Sequence, residues 1–180
     1  MRAVAAVLDR LSALLNAAAL WGAVAAVVVM VVAASWQVVA RYILAAPPIW
    51  TEELARYAMV WAGMLGASCA FRAHADPNLF PAMRDKVGPV GALMALARLA
   101  GVAVFAAPVL YYSLFSASGD PMRGYLARLA GRHSETLGIS MAWFGLAIPI
   151  AFALIFLHLV ADFAARLSAF DPDEHQDSTP

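Results

Sequence analysis

The chain of 180 residues has one cysteine, Cys69, so it cannot close an internal disulfide and lacks the several thiols that quinone-linked thiol oxidation needs. Charge is scarce too. Asp, Glu, Lys and Arg make up 13% of the residues, the formal net charge is zero, and no concentrated basic surface exists to hold nucleic acid. Of the 4 histidines only His158 falls inside a long apolar stretch, which excludes the facing pairs of a membrane haem protein. The middles of the apolar stretches carry no ionisable group, whereas channels and pumps keep such groups for ion or proton pathways. The first stretch also lacks the carboxylate expected of a small four-helix drug exporter. Glu52 and Glu53 are adjacent, and on a helix they point about 100° apart, so they start a helix rather than form an acid/base pair. No enzyme activity, cofactor or metal site is expected.

What the chain has is apolar length. Hydrophobic residues make up 63% and the mean hydropathy is +0.75, which places it among integral membrane proteins. The reading is an all-α membrane protein with four transmembrane helices, at about 17–44, 51–72, 89–115 and 137–165, plus short interfacial amphipathic helices. Residues 1–170 form one membrane domain, and the acidic tail 171–180 has nothing to bury and is expected to be disordered. Residues 1–16 place Val4, Val7, Leu8, Leu11 and Leu14 at helical spacing and are expected to lie along the membrane surface. The connector 73–88 is expected to hug the interface, and Pro108 to kink the third span. Met122, Tyr125, Leu126 and Leu129 form an i, i+3, i+4, i+7 stripe flanked by Arg123, Arg128 and Arg132, which predicts an interfacial helix over 122–131 in contact with lipid or with a docking protein.

The central stretch reads Trp50-Thr51-Glu52-Glu53-Leu54-Ala55-Arg56-Tyr57. Thr51 can cap a helix whose first turn carries Glu52 and Glu53 against the positive helix end. Trp50, Tyr57 and Trp61 suit interfacial anchoring, and Arg72 and His74 close the other end, where positive charge suits the dipole. Ala58, Ala62, Gly66 and Ala70 recur every four residues as a smooth face for another helix, though an alanine-rich chain produces such stripes without an interface. Gln37 and Arg41 lie one turn apart beside Trp36 and Tyr42, as polar partners or as a plain interfacial end. Because Pro47-Pro48 stiffens a short connection, Arg41 is expected to pair with Glu53 and Arg56 with Glu52. On the last span His158, Asp162 and Arg166 share a face, where Asp162 and Arg166 can pair. Arg2, Arg10, Arg72, Arg84, Lys86, Arg98 and Arg166 fall on the side of the termini, against Arg41, Arg56, Arg123, Arg128 and Arg132 opposite, which favours cytoplasmic termini.

Gln37-Val38-Val39-Ala40-Arg41-Tyr42, the Trp50–Tyr57 motif with Trp61, Leu65, Gly66 and Ala67, and Arg72 with His74 resemble the small membrane subunit of tripartite ATP-independent periplasmic (TRAP) transporters. The likeness is specific over about 36–74 and architectural beyond it. The resemblance implies a bacterial inner-membrane subunit without a substrate site. Such a subunit packs against a large permease subunit and enlarges the scaffold against which the transport domain moves. A periplasmic binding protein delivers an organic acid, and sodium supplies the drive. Gln37, Arg41, Trp50, Glu52, Glu53, Arg56, Gly66, Arg72 and His74 then become interface or structural residues, and Arg123, Arg128 and Arg132 contacts for the binding protein or membrane lipids. The other reading of the residues is a stand-alone four-helix transporter or sensor that acts as a homodimer.

Overall fold

A computed structural model describes residues 2–75 and 88–169. Most of the connector 73–88 and the tail 171–180 therefore lie outside the described residues. The fold is all-helical: α1 (Arg2–Tyr42), α2 (Trp50–Arg72), α3 (Gly88–Leu114), a 3-10 turn (Pro121–Arg123), α4 (Tyr125–Ala130), α5 (Ala142–Gly145) and α6 (Ala147–Ala169). Four of its helical segments are long and apolar enough to cross a membrane, with α5 and α6 together making the last.

The surface helix expected over 1–16 is instead the beginning of α1. No proline or glycine separates Asn16 from the alanines that follow, so nothing stops the helix, and its 41 residues extend about 60 Å. Its buried positions explain what it does. Ala5, Ser12, Ala19, Ala33 and Ala40 are buried at intervals of seven residues, with Ala26 half-buried between them. A seven-residue period is that of a left-handed helix seam, and small side chains at each step let the neighbouring helix approach closely. That neighbour is α2, which packs along α1, and α6 closes the three-helix core. Ala19, Ala23, Leu65 and Cys69 form a buried cluster within it, and Trp61 and Leu154, both half-buried, pack against that cluster. A Cβ on Gly22 would meet Leu65 Cδ1 at 2.9 Å, which measures how close the helices run.

Against this core α3 packs on α6 and makes no extended contact with α1 or α2. Pro108 lies inside α3. The expected helix over 122–131 is broken in two by Gly124, which sits hard against the Leu114 carbonyl where any Cβ would clash. Its apolar stripe is spent within the chain. Tyr125, Leu126 and Leu129 close over Gly145 of α5, while Met122 stays 82% exposed. The last span starts later than expected, because residues 132–141 form a turn held by the His133–Ser140 bridge and α5 begins only at Ala142.

Candidate functional site

Polar groups gather at the two ends of the bundle. At one end, α2 begins at Trp50 with Ile49, not Thr51, at the N-cap, and Thr51 is buried with its hydroxyl donating back to Pro48 O at 2.8 Å. This turn aims Glu53 inward, to 8% exposure, and leaves Glu52 outside. The Glu53 carboxylate then accepts from Tyr57 Oη at 2.8 Å, Thr136 N at 2.9 Å, Leu137 N at 3.3 Å, and the Thr136 hydroxyl. Tyr57, expected as an interfacial anchor, stacks on Phe144 with ring centroids 3.5 Å apart. The Ser134 hydroxyl accepts from Leu137 N at 3.1 Å and completes the turn that presents these donors.

The expected pair of Arg41 with Glu53 is therefore not formed. Arg41 is exposed on α1, and among the described residues it pairs with neither carboxylate, because Glu53 points inward toward the loop before the last span. Glu52 pairs with Arg56 at 3.8 Å, with both side chains well exposed. Gln37 is half-buried, Trp50 is 44% exposed, and a Cβ on Gly66 would meet open space. Arg123, Arg128 and Arg132 are all exposed, Arg123 beside Asp120 at 3.6 Å.

At the other end, Arg72 closes α2 and reaches across to α1. It pairs with Asp9 at 3.0 Å and donates to the buried Ser12 hydroxyl, which also contacts His158 Nδ1 at 2.7 Å. Two residues on, His74 holds a left-handed backbone (φ 58), with His74 N bonded to Phe71 O at 3.3 Å and Ala75 N to Ala70 O at 2.9 Å. These two bonds form the motif that commonly ends a helix at glycine, so His74 terminates α2 through its backbone. Asp162 of α6 holds Arg166 at 3.2 Å, as its spacing predicts, and also Arg98 of α3 at 3.8 Å.

The partners missing from the sequence reading are Thr136 and Leu137 for Glu53, and Asp9 and Ser12 for Arg72. A signal existed in Ser134-Glu135-Thr136-Leu137-Gly138, a run of turn formers that supplies free amide and hydroxyl donors before a span. The arrangement can tie helices together at both membrane surfaces. The contact of the Ser12 hydroxyl with His158 is buried between helices, and no group of three or more metal-ligating side chains occurs among the described residues.

Among curated proteins, none matches the chain. The family model for the DctQ component of tripartite ATP-independent periplasmic transporters matches residues 30–169, from the second half of α1 to the end of α6, and the chain belongs to this family of small TRAP permease subunits.

Proposed function

We propose that the chain is the scaffolding subunit of a sodium-coupled TRAP transporter in the bacterial inner membrane, packed against the large permease subunit during uptake of an organic acid delivered by a periplasmic binding protein. The observation that carries this reading is the contrast between the bundle's ends and its middle. The ion pairs lie toward the two ends of the bundle, while the cluster packed between α1 and α2, Ala19, Ala23, Leu65 and Cys69, offers a polar solute no charged partner. A helix whose centre is packed shut serves a partner better than it serves as a pore. Cytoplasmic termini, the orientation favoured by the distribution of Lys and Arg, put the Glu53 loop and the exposed Arg123, Arg128 and Arg132 on the periplasmic face, where a binding protein arrives.

Purification of the tagged chain from native membranes, followed by mass spectrometry, should recover a much larger multi-span permease in stoichiometric amount. Recovery of the chain only as a homodimer would contradict the proposal. Charge reversal at Arg123 and Arg128 should weaken uptake by the assembled transporter without dissociating it; unchanged uptake would remove the docking role from these residues.

A further inference from the structure

The buried seam of α1 has a counterpart on the helix's outer side. Val7, Leu14, Trp21, Val28 and Tyr42 fall at multiples of seven residues, and each is more than half exposed. The helix packs on α2 and α6 and makes no extended contact with α3, so no other span of the chain covers this ridge. A row of side chains in seven-residue register stays on one side of a helix along its length, which suits a second helix lying beside it. Acyl chains can cover valine and leucine as well as a protein can. Trp21 is the residue they do not suit.

Trp21 stands near the midpoint of α1, and the packing places this point near the middle of the bundle. Its neighbour Gly22 lies against Leu65, roughly 10 Å from Arg72 along α2. Leu154, which packs against the same cluster as Leu65, lies near the middle of the apolar segment Ala142–Ser168. Tryptophan favours the membrane surface, where its indole N–H finds acceptors in water and headgroups, and the hydrocarbon interior offers none. Yet Trp21 is 75% exposed, and among the described residues no hydrogen bond engages its N–H. An exposed ring at this depth, with a donor to satisfy, calls for a protein that brings an acceptor into the membrane.

Symmetry and depth decide which protein. In a twofold pair of copies in one membrane, joined along this ridge, Trp21 would meet the Trp21 of the second copy and set donor against donor. A periplasmic binding protein does not reach the middle of the membrane. The large permease subunit does. We propose, resting on the subunit role given above, that the outer ridge of α1 is the surface on which the large permease subunit packs. Trp21 is its anchor, seated in an apolar pocket of that subunit with the indole N–H donating to a hydroxyl or carbonyl oxygen there. Large aromatic side chains closed into a partner's pocket carry much of the affinity of an interface.

The photo-cross-linker p-benzoylphenylalanine, placed in the assembled transporter in place of Leu14, Trp21 or Val28, tests the surface. Ultraviolet irradiation should join these positions to the large subunit, whereas the same probe in place of Val104, which is 76% exposed on α3, should not. Trp21→Ala should weaken retention of the large subunit by roughly tenfold or more, and Trp21→Phe, which keeps a ring without the N–H, should fall between. Cross-linking of the α1 positions to lipid alone, or to a second copy, would overturn the proposal. Retention unchanged by Trp21→Ala would overturn it as well. Cross-linking to the large subunit from position 104 and not from α1 would overturn the α1 surface while the subunit role stood. Failure of the unsubstituted chain to retain the large subunit would overturn that role, and the surface with it.

Discussion

At the Glu53 end of the bundle one inward carboxylate gathers four donors, three of them from Thr136 and Leu137 of a single loop, and among the described residues no cation pairs with it. At the Arg72 end the ties between helices use opposite charges, Arg72 of α2 to Asp9 of α1 and Arg98 of α3 to Asp162 of α6. The first arrangement orders a loop and the second joins helices already formed. This difference follows from chain geometry: the loop offers backbone amides that have no helical partner, whereas helices have consumed theirs and can offer only side chains. A buried anion at the start of a helix also gains from the helix dipole, which makes a cation unnecessary there.

The comparison breaks first if Glu53 is removed. Glu53→Ala strands the Thr136 amide and the Thr136 and Tyr57 hydroxyls and leaves Leu137 N only its bond to Ser134, so it should give the largest loss of thermal stability among these variants and raise amide exchange at Thr136 by roughly tenfold or more. Glu53→Gln should be milder, because one oxygen still accepts. At the opposite end, Ser12→Ala removes the hydroxyl between Arg72 and His158 and should cost about 1 to 3 kcal/mol, measured by thermal denaturation in detergent. A smaller effect is expected for Glu52→Gln, about 0 to 1 kcal/mol, since its pair with Arg56 is exposed. Arg41→Gln should change stability least, by no more than about 0.5 kcal/mol. An Arg41→Gln effect as large as that of Glu53→Ala would restore the hairpin pair and end the distinction between the two ends.

What could be read in the sequence was local. Apolar length gives the four spans, and the four-residue offsets of Glu52 from Arg56 and Asp162 from Arg166 give pairs that form. What could not be read was tertiary. Thr136 lies 83 residues from Glu53, and Ser12 lies 146 from His158, and no period or spacing connects positions so far apart. Proximity in sequence even misled, because Arg41 and Glu53 flank the same short turn while α1 holds Arg41 outward and α2 turns Glu53 inward. The seam of α1 is a third case. Ala5, Ser12, Ala19, Ala26, Ala33 and Ala40 spell a seven-residue period, yet alanine also fills so many other positions that the buried series does not stand out. The stripe of Tyr125, Leu126 and Leu129 announces an amphipathic helix equally well whether its apolar side meets lipid or, as here, Gly145.

The central claim is that this chain serves a transporter without conducting the solute itself. It is tested most directly by measuring sodium-driven solute uptake in proteoliposomes containing this chain alone, the large permease subunit alone, or both, with the binding protein supplied outside. Uptake should require the two subunits together, and vesicles with this chain alone should behave as empty ones. Solute accumulation by this chain alone would contradict the account.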